Sequence, residues 1–489
     1  MRPLNTVRIK MSDTLKSHNN VRTDYLIIGN SAAGLAAAAS IRKIDGQGSI
    51  TVLTNESHSN YSKPLITYYL AGMLELDRVF FKDSSFYLEN NIRLICNANV
   101  YDIDPEKHEV SADTGKEGQV VFSYNKLLIA NGGRPAIPPI KVVDSSGKIS
   151  ELSDLMAPDE NPLERKKANR KQFSKKINGI FTLTTLDDAI SVKKYIANNK
   201  ISSASILGGG LIGLKAAEAF LELGIKINVI EFSSRILSAS FDEIASDIIT
   251  EKIQHSGSNV LTNSTIDNIF IDELSNITGY QLRSGKKVPC SLLIIAVGVA
   301  PATGILGRAK DILKADGGIT VNEYMQTSDA DIYAAGDVIN SFDKLSLKNK
   351  NIAIWPLAVN QGSVAGTNMA GGRQKYGGGF FMNSVEILGV PVISIGLSSA
   401  QDNEAEDIKT YKNYNSQKNI YRKIVVRNNK VVGAILAGSI ERAGIYAGLI
   451  SNDVDITDIK DNIAKEDFGI IQLPAGYRKH LVVGDGIEV

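Results

Sequence analysis

The chain has 489 residues, of which 43% are hydrophobic and 22% are charged, and these proportions are ordinary for a globular protein of roughly two to four domains. Its 54 Lys and Arg residues nearly balance 53 Asp and Glu residues, and the formal net charge of +1 gives no field that favours nucleic acid or an anionic membrane. The two cysteines, Cys96 and Cys290, are too few and too far apart for a disulfide framework or a metal-ligand cluster.

The first 23 residues lack the apolar core of a signal peptide, and we interpret them as a flexible leader. No apolar run in the sequence approaches the length of a membrane span. Because so few cysteines suit a reducing compartment, we expect a cytoplasmic protein. We also expect no bound metal and no membrane span.

A short apolar strand at residues 25–28 leads into a glycine-containing turn and then into an alanine-rich helix. This order is the layout of a dinucleotide-binding unit, in which the pyrophosphate binds free N–H groups at the helix start. The first glycine permits the tight turn and the last lets helix and strand approach closely, while Ser31 replaces the middle glycine. The candidate binding residues of this turn are Gly29, Asn30, Ser31, Ala32, Ala33 and Gly34.

The second strand, at residues 49–53, ends near the place where an acidic residue is expected on the adenosine ribose. Glu56 is the candidate, with Asn55 as its rival and a solvated loop carboxylate as the alternative. The next segment, residues 60–74, begins with turn residues and becomes a helix that ends at Gly72. Within it, Lys63 and Pro64 are candidate cofactor contacts, with a surface lysine as the alternative.

Residues 92–103 and 109–122 are predicted to form strands of a small sheet, and Val100 is a candidate cofactor contact. Residues 126–130 are predicted to form a buried strand that ends in a glycine turn. Residues 142–177 are rich in polar residues, which predicts a polar insertion that is partly helical or disordered. Its basic stretch at residues 166–176 is a solvated loop by default, and a docking patch for an acidic partner is the alternative.

A second and complete copy of the strand–turn–helix pattern follows the insertion. A strand at residues 204–207 precedes a turn with all three glycines, and a second strand at residues 226–230 ends at Glu231. A carboxylate there accepts from the ribose 2′-OH and repels a 2′-phosphate, which favours NAD over NADP, although the nearby Arg235 softens that preference. The candidate residues of this copy are Gly208, Gly210, Leu211, Ile212, Gly213 and Glu231.

Two further strand ends and one helix start carry candidate residues. A buried strand at residues 292–296 leads into a loop that contains Gly298, and a strand at residues 332–335 leads into Gly336 and Asp337. Trp355 directly precedes a small-residue helix, and a core or lid aromatic is the alternative role for it. Roughly the last hundred residues alternate short strands with a few helices, without a further glycine-rich phosphate loop.

Together these segments resemble the FAD-dependent pyridine nucleotide-disulfide oxidoreductase superfamily. The resemblance implies that the first turn binds FAD and that the second binds NAD(P)H. It implies that Ala130, Asn131 and Gly132 form an ATG-type motif, with Asn in place of Thr. It also implies that Asp337 holds the ribityl chain of FAD and that Gly298 flanks the nicotinamide.

The branch of the superfamily is indicated by the segment at residues 61–64, which resembles the YDRP segment of rubredoxin-reductase and ferredoxin-reductase relatives, with Lys63 in place of Arg. Disulfide reductases and cysteine-dependent NADH oxidases carry a redox cysteine on the helix after the second strand, whereas residues 60–72 contain none. Lys215 stands where relatives often have an acidic residue, and we expect either a catalytic cation beside the flavin or a surface lysine.

We therefore expect an α/β fold with two Rossmann-like dinucleotide-binding domains, for FAD and NAD, and a C-terminal α+β interface domain. The predicted boundaries are 1–23 for the leader, 24–141 and 301–375 for the FAD-binding domain, 142–177 for the insertion, 178–300 for the NAD-binding domain and 376–489 for the C-terminal domain.

The predicted activity is that of an enzyme that passes hydride from NADH to FAD, and then electrons to a protein acceptor such as rubredoxin, ferredoxin or a partner redox subunit. One alternative is an oxidase or dehydrogenase that uses oxygen or a small molecule. Another is a redox sensor or scaffold that holds FAD and NAD. A homodimer formed through the C-terminal domain is also expected.

Overall fold

The computed structural model describes residues 20–83, 85–115, 118–156, 177–402, 407–474 and 476–477. These residues form two α/β units, one built on a mostly parallel sheet and one on a fully parallel sheet, followed by a unit in which a helix packs on an antiparallel sheet. The predicted fold class is therefore confirmed.

The first sheet has seven strands in the order β3-β2-β1-β6-β5-β4, with β20 added on β6. The strands β1, β2, β3 and β20 pair in parallel, while β4 and β5 form an antiparallel extension that pairs with the first half of β6. Their bounds are β1 Asn20–Ile28, β2 Ile50–Leu53, β3 Ile92–Ile95, β4 Asn99–Asp104, β5 Glu109–Asp113, β6 Gln119–Ile129 and β20 Ile332–Ala334.

Two sequence predictions for this sheet are corrected. Strand β1 begins at Asn20, so the predicted leader boundary at residue 23 is wrong, and residues 20–23 pair with residues 121–124 of β6. Of residues 20–23, only Val21 and Thr23 are buried, and an alternation of four residues is too short to predict a strand. Strand β6 is one element of 11 residues rather than two separate strands. Residues 1–19 lie outside the described residues.

Two long helices cover the centre of the first sheet and pack closely on each other. Glycines allow this approach, because a Cβ at Gly362 would lie 2.1 Å from the carbonyl oxygen of Ala33, and one at Gly366 would lie 2.3 Å from that of Ala37. The helices of this unit are α1 Ala32–Ile44, α2 Ile66–Leu70, α3 Ser85–Glu89, α8 Ala309–Ile312 and α9 Trp355–Met369, with 3-10 helices at Lys63–Leu65, Leu76–Val79 and Thr303–Leu306.

The second sheet is parallel throughout, in the order β10-β17-β11-β12-β13. Its strands are β10 Ile180–Phe181, β11 Ser203–Leu207, β12 Lys226–Ile230, β13 Asn259–Leu261 and β17 Leu293–Ile295. Its helices are α5 Leu186–Asn199, α6 Leu211–Glu222 and α7 Glu243–His255. Helix α5 begins with a reciprocal capping box between Thr185 and Asp188, which satisfies backbone N–H groups at its start.

A third sheet, in the order β16-β15-β14-β8-β9, occupies part of the predicted polar insertion. Val142 is buried and pairs with Ile269, so the insertion boundary at residue 142 is wrong, because a three-residue strand leaves too little periodicity to detect. The elements are β8 Lys141–Val143, β9 Ile149–Glu151, α4 Leu152–Met156, β14 Ile266–Ile271, β15 Ile277–Leu282 and β16 Lys287–Pro289. The basic stretch at residues 166–176 lies outside the described residues.

Two crossing segments join the α/β units as an antiparallel pair, β7 Gly133–Pro135 with β18 Val299–Pro301. A small three-stranded sheet consists of β19 Ile319–Thr320, β21 Ile339–Asp343 and β22 Lys348–Lys350.

The C-terminal unit is an antiparallel sheet in the order β23-β24-β27-β26-β25, with one helix packed on it. Its elements are β23 Met382–Ile387, β24 Val390–Gly396, β25 Ile408–Asn415, β26 Ile420–Arg427, β27 Lys430–Ala437, α10 Ala443–Ser451 and 3-10 helices at Lys460–Asn462 and Ile470–Gln472. Val392 and Ile435 of this sheet share one apolar cluster with the second α/β unit and with Ile66 and Leu70 of the first. One apolar cluster is thus shared by all three units.

Candidate functional site

The first glycine turn is locked against the end of the central strand. Gly29 has a φ of +118°, and a Cβ on it would lie 2.1 Å from the carbonyl oxygen of Ala130. A Cβ on Gly34 would lie 1.9 Å from the carbonyl oxygen of Gly29. Ser31 is the N-cap of α1 and makes no side-chain capping bond, so its hydroxyl and the first N–H groups of the helix, at Ala32 and Ala33, are available to an anion.

The second glycine turn repeats this construction. Gly208 has a φ of +111°, and its Cβ would lie 2.2 Å from the carbonyl oxygen of Ala296, while one on Gly213 would lie 2.0 Å from that of Gly208. Gly210 is the N-cap of α6, and a Cβ on it would meet nothing within 4 Å. The N–H groups of Leu211 and Ile212 thus face a space that a phosphate can enter.

The carboxylate of Glu231 is held in place at the end of β12 by two backbone donors. Gly209 N–H donates to Oε2 and Ser233 N–H donates to Oε1, each at 2.7 Å. The guanidinium of Arg235 donates to the carbonyl oxygen of Phe241 at 3.4 Å from both Nε and Nη2. Each carboxylate oxygen keeps a lone pair for a ribose hydroxyl.

The carboxylate of Glu56 is linked to the second unit, which the sequence did not indicate. The hydroxyl of Tyr61 donates to Glu56 Oε2 at 2.5 Å and accepts from the Leu186 N–H, at the start of α5, at 3.1 Å. Burial and the neighbouring Glu56 charge raise the pKa of Tyr61, so the hydroxyl stays protonated. Only a tertiary contact across 125 residues creates this link, and no local pattern signals it.

The side chain of Asn30 supports the first turn from inside. It is buried, its Oδ1 accepts from the Tyr87 hydroxyl at 2.9 Å, and its amide donates to the carbonyl oxygen of Ser59. Burial raises the pKa of Tyr87 to about 12. The side chain of Asn30 therefore holds the turn in place through these two hydrogen bonds.

Gly336 and Asp337 lie where the first unit closes on its second segment. Gly336 has a φ of +82°, and its N–H donates to Oε1 of the buried Gln361 at 3.0 Å. Burial raises the pKa of the Asp337 carboxyl, while the positive charge of Lys63 partly offsets this effect. The structure thus brings Lys63, which precedes Pro64 in a 3-10 helix, within electrostatic reach of Asp337, although they are far apart in sequence.

Trp355 is the first residue of α9 and packs edge-to-face on Phe81, with ring centroids 5.3 Å apart. The N-terminus of this 15-residue helix carries a partial positive charge that suits an electron-rich ring edge.

The two crossing segments bring Ala130, Asn131 and Gly132 next to the Gly298 loop. Ala136 N–H donates to the Gly298 carbonyl at 3.0 Å, and Ala302 N–H donates to that of Gly132 at 3.0 Å. The amide of Asn131 donates to the carbonyl oxygen of Ala302 at 2.7 Å, whereas its buried Oδ1 has no partner among the described residues. An orphaned acceptor at this junction, together with the glycine cradles, fits the bound groups that the motifs imply.

Two other predicted site residues have clear positions. Val100 is buried in β4 within the core of the first unit. Lys215 Nζ contacts the Glu218 carboxylate and lies 4.4 Å from the ring centroid of Tyr68, so it is a partly buried residue between units rather than a surface lysine.

Cys96 and Cys290 are unpaired, and burial raises the pKa of both thiols. Among the described residues, no group of three or more His, Cys, Asp or Glu side chains is arranged to hold a metal ion. In the same parts of the chain, we find no helix with the length and apolarity needed to cross a membrane.

Comparisons with known proteins agree with this arrangement. Residues 23–362 match the model of the pyridine nucleotide-disulphide oxidoreductase family, and residues 382–454 match the rubredoxin NAD+ reductase C-terminal domain. The chain is 28% identical to the NADH-dependent phenylglyoxylate dehydrogenase subunit epsilon of Aromatoleum evansii, over 92% of this chain and 96% of that one. It is also 28% identical to the nitrite reductase [NAD(P)H] of Bacillus subtilis, covering 89% of this chain but only 48% of that protein.

Among solved structures, NADH:rubredoxin oxidoreductase from Clostridium acetobutylicum superposes with a TM-score of 0.66 and 25% identity, covering 90% of this chain and 97% of that one. Enzymes of the matching family are NAD(P)H oxidoreductases that use FAD, and both glycine turns of this chain fall inside the matched range. The chain therefore belongs to the pyridine nucleotide-disulphide oxidoreductase family.

Proposed function

We propose that this chain is an NADH-dependent oxidoreductase that delivers electrons to a protein acceptor. The observation that carries the proposal is the pair of glycine turns whose first and last glycines pack in the same way, each followed by a carboxylate after the next strand, Glu56 in one unit and Glu231 in the other. Two such turns fit two dinucleotides, and hydride transfer needs both in one molecule.

In this proposal the first unit binds FAD. The N–H groups at the start of α1 and the Ser31 hydroxyl bind the pyrophosphate, and the free oxygen of Glu56 accepts from the adenosine ribose. Asp337 holds the ribityl chain, and Lys63 and the start of α9 stabilise negative charge on the flavin ring. Bound FAD supplies hydride acceptance from NADH and the release of electrons to the acceptor.

The second unit binds NADH. The start of α6 binds its pyrophosphate, and Glu231 accepts from the 2′-OH of the adenosine ribose. Because the Glu231 carboxylate is already oriented by two backbone N–H groups, a 2′-phosphate would face its negative charge. NADH is therefore the preferred donor.

A protein acceptor is favoured over oxygen by three observations. The C-terminal unit matches the C-terminal domain of rubredoxin NAD+ reductase. One relative is described as a subunit of a dehydrogenase, and one solved structure is an NADH:rubredoxin oxidoreductase. Both thiols of the chain have a raised pKa and so resist forming the thiolate that a cysteine-dependent NADH oxidase would need. Phe81, 37% exposed beside Trp355, gives an apolar surface that suits a small, transient interface.

The proposal extends to assembly and location. We propose that the chain forms a homodimer through the C-terminal unit. We also propose a cytoplasmic location, because two unpaired cysteines suit a reducing compartment. Sedimentation of the FAD-loaded protein tests the dimer, and a monomer at micromolar concentration contradicts it.

The activity is tested by denaturing the yellow protein, identifying the released flavin and titrating the native protein with NADH without oxygen. The denatured protein is expected to release FAD rather than FMN. In the native protein, about one NADH per FAD is expected to bleach the flavin absorbance. A protein that stays colourless after incubation with FAD contradicts the proposal.

A further inference from the structure

One ion pair on α6 touches all three units. Lys215 Nζ contacts the Glu218 carboxylate, donates to the Glu386 carbonyl oxygen of the C-terminal unit at 3.1 Å and lies over the Tyr68 ring of the first unit. The other oxygen of Glu218 accepts from the Leu388 N–H of the C-terminal unit at 2.8 Å. Each side chain of the pair is 13% exposed. Both charged side chains are therefore largely shielded from solvent and make contacts across the boundaries between units.

A second lysine of the NAD-binding unit holds the same short helix. Lys193 Nζ lies 4.2 Å from the ring centroid of Tyr69 and donates to the Tyr69 carbonyl oxygen at 2.9 Å. Successive tyrosines of α2 are thus each covered by a lysine from a different helix of the second unit. Helix α2 has only five residues, so these contacts fix its position more than its own hydrogen bonds do.

The position of α2 determines the position of the predicted flavin contact. The 3-10 helix that begins at Lys63 runs directly into α2, and the charge of Lys63 reaches Asp337. A shift of α2 relative to α6 therefore moves Lys63 relative to the start of α6, where the donor nucleotide is expected. Hydride transfer is sensitive to such shifts, since a misplacement of about 1 Å can lower a rate about 100-fold.

We infer that Lys215 and Glu218 are positioning residues that set the distance between the two nucleotide sites. Lys215 acts through Tyr68 and Glu218, and it is not a catalytic residue that touches the reacting atoms. The inference rests on the proposed hydride transfer. Apolar packing of Ile66 and Leu70 against the second unit persists without the ion pair, so its loss is expected to shift the units and not to unfold them.

The test compares Lys215→Met and Lys215→Arg with Lys194→Met. Lys194 is exposed, and its side chain makes no hydrogen bond or ion pair with the described residues, so it is a matched control for removal of a lysine from this unit. Stopped-flow measurement gives the limiting rate of flavin bleaching and the Kd for NADH, and hydrogen exchange reports protection of residues 66–71 and 386–389.

Lys215→Met is expected to lower the limiting rate at least about tenfold and to change the Kd for NADH less than about threefold. Exchange is expected to rise in both segments together, because one side chain holds both. Lys215→Arg keeps the charge and restores most of the rate, and Lys194→Met leaves the rate and exchange unchanged. A Lys215→Met protein with wild-type rate and exchange, or with a loss confined to the Kd, overturns the inference.

A second variant covers the case in which Lys215→Met does not fold. Tyr68→Leu removes the ring under the lysine but leaves the ion pair, and Tyr68→Phe keeps the ring and should retain more of the rate than Tyr68→Leu. Equal rates in the two Tyr68 variants contradict the inference. If NADH does not bleach the flavin of the wild-type protein, the proposed function fails, whereas a wild-type rate in the variants rejects only the positioning role.

Discussion

The carboxylate of Glu231 is oriented by two backbone N–H groups, each at 2.7 Å, before any nucleotide is bound. Such an arrangement lowers the cost of ordering the side chain when it receives a ribose hydroxyl. Glu56 is oriented differently, because its carboxylate accepts from the Tyr61 hydroxyl, which in turn accepts from the Leu186 N–H of the second unit. The two carboxylates that we propose to bind ribose hydroxyls are therefore held by different supporting contacts.

Replacement of Glu231 with alanine should narrow the preference for NADH over NADPH. The variant loses a hydrogen bond to a charged group, which is typically about 1.5–3 kcal/mol, so kcat/KM for NADH should fall about tenfold or more. The value for NADPH should change much less, since the 2′-phosphate no longer meets a negative charge. Steady-state rates with both donors provide the measurement, and a wild-type enzyme that prefers NADPH would show that the carboxylate is misassigned.

Asp337→Asn should stabilise the apoprotein at neutral pH while it weakens FAD binding. Burial raises the folded-state pKa of Asp337 above 3.8, so the folded state binds its proton more tightly than the unfolded state does. The cost of the ionised carboxylate is therefore full above the folded-state pKa and disappears as the pH falls towards 3.8.

Thermal unfolding of the wild-type and variant apoproteins between pH 4 and pH 8 should show a stability gap in favour of the asparagine variant that grows as the pH rises and closes in acid. The FAD Kd of the variant should increase about 10- to 100-fold at neutral pH, because a hydrogen bond to a charged group is lost. A gap that widens in acid, or an unchanged FAD affinity, contradicts the assigned role of the carboxylate.

The double variant Cys96→Ser, Cys290→Ser should keep its NADH-linked activity with an artificial acceptor. Both thiols are unpaired, and burial raises the pKa of each, which opposes the thiolate form that redox chemistry needs. A diaphorase assay on the FAD-loaded double variant checks this, with flavin content measured alongside. Loss of activity in a protein that is folded and loaded would refute the prediction.

At the scale of elements, the sequence predicts strands that carry a local pattern but not the elements and contacts that depend on tertiary partners. Strand β12 matches the predicted residues 226–230 because its apolar alternation and the following carboxylate are local signals. The three-residue strand β8 was missed because it owes its order to pairing with β14. The contacts of Tyr61 and Lys215 were equally hidden, since each depends on a partner more than 120 residues away.

The glycines of the second turn should separate structural from binding effects. Gly208→Ala places a Cβ at a φ of +111° and 2.2 Å from a backbone oxygen, so it should destabilise the protein by about 1–3 kcal/mol and abolish bleaching by NADH. Gly210→Ala meets open space, so it should leave the melting temperature unchanged and raise the KM for NADH.

Melting temperature and NADH titration of these two FAD-loaded variants give the comparison. FAD content should be retained in both, because the first turn is untouched. Equal melting temperatures for the two variants would contradict the packing described for this turn.

At the scale of the whole molecule, the three units are joined by a common apolar cluster and by polar links at their boundaries. The buried Lys423 of the C-terminal sheet lies 3.7 Å from Asp242 of the second unit, and the Tyr421 hydroxyl donates to the same carboxylate at 2.6 Å. The C-terminal unit is therefore fixed to the second unit at this carboxylate as well as through Glu218. Such a frame suits the proposed hydride transfer between two bound nucleotides, which depends on a fixed distance between them.

The most direct test mixes NADH-reduced enzyme, without oxygen in the first syringe, with rubredoxin, ferredoxin or oxygen in a stopped-flow instrument at several ionic strengths. Return of the flavin absorbance should be faster with at least one iron protein than with oxygen, and it should slow as salt rises if charged surfaces guide docking. Faster reoxidation by oxygen than by every iron protein tried, with no effect of salt, would contradict the account and favour an oxidase.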